Sequence, residues 1–209
     1  MKKKSKSKMK RYGRIISAWM IALVTATGAG VTYAYNQHST EQMNLLKAYS
    51  VSGEVIENGN SVTENERFTV VPGTETEKRV QFKNTGTASV FVRVSFGETW
   101  TDMNGEWLAG SNTYAVPQWT SEWEEEWQLR NDSWYYYNQI LKANTSTAEV
   151  LSSVGFPLDL PQVYANGKYQ LFFTMEIVQY SNETAVNDAA LQTVFGRGAT
   201  VTEGVVTWN

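Results

Sequence analysis

Apolar and polar residues alternate in several short runs along the chain, and the run from Val71 to Phe96 sets the pattern. Val80 and Phe82 alternate with Arg79, Gln81 and Lys83, the period-2 signature of a strand with one buried and one wet face. Asn84 to Ala88 interrupts the alternation with residues that accept a left-handed backbone, and Val90, Val92, Val94 and Phe96 then line one side of a return strand. The pattern predicts an antiparallel hairpin with an apolar face. Tyr169 to Tyr180 alternates most clearly, with Tyr169, Leu171, Phe173, Met175 and Ile177 against Gln170, Thr174 and Glu176, and predicts a long central strand.

Shorter runs supply the rest. Ser50 to Glu57 places Val51, Gly53 and Val55 on one face and ends in the turn signal Asn58-Gly59-Asn60. Glu66 to Val71 predicts a strand stopped by Pro72-Gly73, and the tryptophan-rich segment Gly97 to Arg130 predicts short strands covering the core. Trp134 to Leu141 and Glu149 to Phe156, the latter with Val150, Ser152, Val154 and Phe156 on one face, predict a second hairpin. Alternation over Trp134 to Tyr137 makes both faces aromatic, so at least one of the four rings lies outside the core or under another element. Ser181 or Asn182 can cap a helix running to Phe195, with Val186, Ala189, Ala190 and Val194 on one side and Gly196 as its stop. Val201 to Trp208 closes the chain as a final strand. Many short strands and one late helix describe an all-β antiparallel sandwich over residues 48–209, with one short helix near the C-terminus.

Of the 209 residues, the first 34 carry a different pattern. Eight basic residues precede the uncharged run Ile15 to Ala34, and Thr32-Tyr33-Ala34 puts small residues where a signal peptidase reads. This predicts a signal peptide over residues 1–34, cleaved between Ala34 and Tyr35. An uncleaved membrane anchor is the competing reading, since about twenty uncharged residues can span a bilayer. Removing residues 1–34 takes away eight of 18 basic residues and none of the 21 acidic ones, which leaves ten against 21 and a net charge of −11. So acidic a chain argues against nucleic acid as a partner. The absence of cysteine means that an exported form is held by its core alone. Residues 35–47 form a polar arm with apolar Met43, Leu45 and Leu46 near its end, either disordered or a strand awaiting a partner.

His38, in that arm, is the only histidine, which excludes a zinc site built on paired histidines and, since it sits in the arm, nearly excludes a Ser-His-Asp or Cys-His triad. The residues predict no enzyme, no cofactor and no metal site. The run Glu122 to Glu126 lacks the Asp/Asn/Gly spacing of a calcium loop and reads as a solvated acidic face. The aromatics fill a core or, in the competing reading of a cell-surface carbohydrate-binding module, Trp100, Trp107, Trp119 or Trp123 stack on a glycan.

Several stretches together resemble the exported biofilm-matrix proteins of Gram-positive bacteria processed by a SipW-type signal peptidase, the TasA and camelysin group and especially its BsaA-like branch. They are Thr32-Tyr33-Ala34-Tyr35, Ser52-Gly53-Glu54-Val55-Ile56-Glu57, Val71-Pro72-Gly73, Lys78-Arg79-Val80, Lys83-Asn84-Thr85-Gly86 and Val92-Arg93-Val94, followed by Trp134-Tyr135-Tyr136-Tyr137, Leu141, Ser146-Thr147 and Glu176-Ile177-Val178-Gln179. Their order covers nearly the whole chain. The resemblance implies a jelly-roll-like sandwich and a secreted subunit of extracellular matrix fibres at the cell surface. Its implied partners are copies of itself, other matrix proteins or polysaccharide, and the signal peptidase during export. The metalloprotease activity described for camelysin-like members does not carry over, because no zinc motif is present. The Trp-rich insert after Trp100 departs from simple members of the group.

Overall fold

The computed structural model describes residues 50–62, 67–111 and 113–209. The signal peptide, its cleavage residues Ala34 and Tyr35, and the arm residues Met43, Leu45 and Leu46 lie outside the described residues.

The first sheet is built from β1 (Gly53–Glu57), β2 (Asn60–Ser61), β4 (Glu75–Asn84), β7 (Val116–Trp119) and β10 (Leu151–Gly155), in the order β2-β1-β4-β10-β7. The second holds β3 (Phe68–Thr69), β5 (Val90–Thr101), β8 (Trp127–Leu129), β9 (Tyr135–Tyr137) and β11 (Lys168–Gln179), in the order β3-β11-β5-β9-β8, with β6 (Trp107–Leu108) also on β5. All pairings are antiparallel. Val80, Phe82 and Leu151 of the first sheet pack against Val92, Val94, Leu171 and Phe173 of the second. The molecule is thus an antiparallel β-sandwich, as the alternation predicts.

The local turns follow their sequence signals. Asn58 and Gly59 take φ of 49° and 81° and join β1 to β2, the paired left-handed conformation of a tight hairpin. β11 is the long central strand expected, paired with β5 over its whole length, Lys168 to Thr101 at one end and Gln179 to Val90 at the other.

Neither expected long hairpin forms. β4 pairs with β1 and β10, whereas β5 pairs with β11, β9 and β6, so Asn84 to Ala88 carries the chain from one sheet to the other. The same correction applies to the second pair, because β9 lies beside β5 and β8 while β10 lies between β4 and β7. The first crossing is organised by Asn84, which is fully buried and donates through Nδ2 to the carbonyls of Ala88, Leu141 and Lys142 at 2.8, 3.1 and 3.1 Å. Its Oδ1 accepts from the Gly86 N–H at 2.9 Å. Gly86 lies so close to the Ser50 carbonyl that any Cβ there would collide with backbone. In β10 a bulge between Leu151 and Ser153 shifts the alternation, so Leu151, Val154 and Phe156 all reach the core and Ser152 is exposed.

The tryptophan-rich segment contains a helix where only short strands were expected. α1 (Ser121–Glu126) starts at Thr120, whose Oγ1 accepts from the Trp123 N–H, and carries Glu122 and Glu124 in its first turn. Trp123 is buried on its inner side, as is Trp127 four residues on, while Glu122, Glu124 and Glu125 face solvent. The acidic run is thus largely the wet face of an amphipathic turn.

A third layer covers the outer face of the second sheet. α2 (Thr184–Val194) ends at Gly196, with φ of 69°, and the final segment is a hairpin, β12 (Ala199–Thr202) and β13 (Val205–Trp208), turning at Glu203-Gly204, not the single strand expected. Asn187, Ala190 and Leu191 are the buried residues of α2 and Val186 is exposed, which shifts the buried face from the one predicted. The Asn187 amide bonds both the N–H and the carbonyl of Ser181, so the entry to the helix is tied from inside and not by a Ser181 or Asn182 cap. Tyr136, fully buried, is the ring of the aromatic quartet that lies under another element, packed on Phe195 and Trp208.

Candidate functional site

The two flanks of β11 are unequal. One is paired with β5 throughout, and the other, among the described residues, pairs only at Lys168 and Tyr169, with β3. Farther along β11, Met175 and Ile177 lie against Gly53 of β1, in the other sheet. Met175 and Ile177 point inward and are half-buried, and the side of Gly53 that lacks a Cβ meets Met175 and Ile177, where a methyl would sit 3.0 Å from Met175 Cε. Val55, also half-buried, completes a narrow apolar seam between the sheets. A strand edge with inward apolar side chains beside it offers backbone N–H and C=O groups for pairing and pockets for alternate side chains of an added strand.

The outer face of β11 is made rigid by Arg93, which is 11% exposed. Its guanidinium donates to Glu176 Oε2 through Nε and Nη2 at 2.9 and 2.7 Å, to the Tyr136 hydroxyl at 3.0 Å, and to the carbonyls of Val194 and Phe195 at the end of α2 at 3.2 Å each. The rings of Trp134 and Phe195 lie 4.4 and 4.5 Å from it. Burial opposes the Arg93 charge, but the hydrogen bonds with Tyr136 and Glu176 outweigh it and raise its pKa above the ordinary arginine value. A cation that answers helix C-terminal carbonyls also complements the helix dipole. The third layer is thereby fastened to β5 and β11 and leaves the seam on the opposite face alone.

The Tyr136 hydroxyl passes its own proton toward Asp132 Oδ2 at 2.6 Å. Burial acts to raise the Asp132 pKa, but the bonds from Tyr136 and the Trp134 N–H, with Arg197 nearby, outweigh it and hold the carboxyl below its ordinary value of 3.8. A depressed carboxyl contributes stability in full above its unfolded pKa and loses it as pH falls through the folded value. Asp132→Asn is therefore expected to lower stability most above about pH 5, where the charged carboxylate contributes in full, and to converge on the parent as pH falls below about 4, so that the acid limb flattens, read by urea midpoints across that range.

The tryptophans proposed for glycan stacking separate into two groups. Trp100 and Trp123 are buried and Trp119 is half-buried, stacked on Trp123 at 4.9 Å and facing Phe96 and Phe173. These are core residues, and only Trp107, 69% exposed, stands free to meet a sugar. Among the described residues no group of histidine, cysteine and carboxylate side chains is arranged to hold a metal ion, and no helix is long and apolar enough to cross a membrane. The β11 flank itself was not singled out from the sequence, since alternation reveals a buried face and not an unpaired edge.

The fold and this flank define an antiparallel β-sandwich with a candidate strand-acceptor edge. No protein-family model matches the chain, and no curated protein matches it significantly.

Proposed function

We propose that the protein is a secreted structural subunit of extracellular matrix fibres, assembling by addition of one subunit's N-terminal arm to the β11 flank of the next. The observation that carries this reading is the apolar seam of Val55, Met175 and Ile177 beside a strand whose second flank is paired only at Lys168 and Tyr169 among the described residues. An extended arm of residues 35–47 reaches roughly 40 Å at about 3.3 Å per residue, enough to run the length of β11. Met43, Leu45 and Leu46 supply apolar side chains for the seam, so backbone pairing gives affinity and the pockets set register. A head-to-tail contact of this kind does not close on itself and grows filaments. The sequence resemblance to the TasA and camelysin group supports the same role, with a SipW-type signal peptidase, other matrix proteins and polysaccharide as further partners.

The test compares residues 35–209 with residues 48–209 by electron microscopy and sedimentation. Filaments are expected from the first and not from the second, and filaments from both would remove the arm from the mechanism. Met175→Lys in the longer form places a charge in the seam, a device that blocks edge pairing. It is expected to abolish filaments while leaving a folded monomer by circular dichroism.

A further inference from the structure

Among the described residues, the interior holds one ionisable pair for which the assembly reading has no use. Glu57 ends β1 opposite Val80 of β4, and Lys78 lies two residues from Val80 on the same inward face, so the two side chains are diagonal cross-strand neighbours. Lys78 is 0% exposed and Glu57 8%. The Lys78 ammonium touches Glu57 Oε2, and its other neighbour is the Phe68 ring, 5.3 Å away at the centroid. Glu57 Oε1 has no hydrogen-bond partner, and Lys78 Nζ has none beyond the carboxylate it touches. An ammonium carries three donors and a carboxylate two acceptor oxygens, so as an ion pair this site leaves most of its capacity unanswered inside the core. Buried ion pairs offset their desolvation only when the remaining lone pairs and protons are satisfied.

We propose that Lys78 and Glu57 condense to a side-chain amide that covalently joins β1 to β4. One ammonium proton passes across the contact to the carboxylate. The freed nitrogen lone pair attacks Glu57 Cδ and forms the C–N bond. The C–O bond then breaks, and the hydroxyl leaves with a second nitrogen-bound proton as water. Ammonium plus carboxylate becomes one amide and one water, with no change of oxidation state and no co-reactant. The fold supplies what the reaction needs, since two strands in fixed register hold amine and carboxyl in contact at high effective concentration. The Asn58 N–H and side chain add to that register, bonding the Arg79 carbonyl and N–H, each at 2.9 Å. The product replaces two charged groups by one neutral N–H and one carbonyl. In a chain without cysteine it gives the sandwich the covalent cross-link that a disulfide would otherwise supply, closing the loop that contains β2 and β3.

The test is peptide mass spectrometry of the full folded chain after denaturation and trypsin digestion. The expected product is a branched peptide joining residues 48–67 to residues 68–79, lighter than the two linear peptides together by about 18 Da, one water, with no cleavage after Lys78. Chain kept in denaturant from synthesis is expected to lack the branch and to gain it on refolding. Lys78→Met keeps an apolar stem of similar length and is expected to fold and yield only linear peptides. Complete cleavage after Lys78 in wild-type protein would overturn the proposal and leave a plain ion pair. So would a water loss that persists in Lys78→Met or that is present before folding.

Discussion

Trp100→Ala is expected to destabilise the sandwich by about 3–5 kcal/mol, the range for emptying a buried site of a large aromatic ring. Trp100 is 1% exposed and lies against four rings, Tyr114, Phe156, Tyr164 and Tyr169, at centroid distances of 6.3, 6.0, 5.3 and 4.5 Å. Phe156 follows β10 of the first sheet and Tyr169 belongs to β11 of the second, so the indole fills the space where the two sheets meet at one end. Its Nε1 has no hydrogen-bond partner. Trp100→Phe removes that unanswered donor and keeps most of the ring contacts, with an expected cost under about 1.5 kcal/mol. With a urea slope of about 1–3 kcal/mol/M, the alanine variant should lower the unfolding midpoint by roughly 1 M or more, and the phenylalanine variant by much less. Equal midpoints for Trp100→Ala and the parent would contradict the packing.

Asn84→Ala is expected to cost about 2–4 kcal/mol through lost hydrogen bonds, since one buried amide serves three carbonyls and one N–H. The carbonyls belong to Ala88, on the near side of the crossing, and to Leu141 and Lys142, in the second crossing. The substitution therefore loosens both connections between the sheets at once. Hydrogen exchange is expected to rise at Gly86, whose N–H loses its side-chain acceptor, and at Val90 and Leu141, whose amides bond each other's carbonyls across the crossing. The amides of β11 that pair with β5 should keep their protection. Were exchange to rise across β5 and β11 instead, Asn84 would be holding the sheet and not the crossing. Because the pattern alone predicts a hairpin here, this variant also separates the two topologies. Asn84 in a hairpin loop would face solvent, and its truncation would cost well under 1 kcal/mol.

The resemblance points to assembly, and the acceptor proposed for it is the β11 flank. The arm residues Met43, Leu45 and Leu46 were legible as candidates because apolar side chains stand out in a polar segment. The acceptor proposed for them was not. Met175 and Ile177 read in the sequence as ordinary core positions of a central strand, and the flank beside them is an edge only among the described residues, which a local pattern does not reveal. The helix at Ser121–Glu126 carried a readable signal that the strand interpretation passed over. Thr120 is a capping residue, acidic residues follow in the first turn, and Trp119, Trp123 and Trp127 recur at a spacing of four. Tryptophan content pointed to strands by propensity, and the period should have outweighed it.

Alternation along the chain determined which faces are apolar, and with that the sandwich class, the long strand β11, the tight turns at Asn58-Gly59 and Gly196, and that at least one ring of the aromatic quartet had to lie outside the core or under another element. Each is set by residues close in sequence, through side-chain period or the backbone freedom of glycine and asparagine. Strand partners were decided only by tertiary structure. Two successive strands with apolar faces bury them equally well side by side in one sheet or facing each other from two, and a local pattern does not distinguish these. Contacts distant in sequence did so, namely Asn84 with Leu141 and Lys142, Ser50 and Ser52 with the crossing, and Arg93 with Glu176 and the end of α2. The same is true of the buried Lys78 and Glu57, which are ordinary charged residues in the sequence and become neighbours only when β1 and β4 take their register.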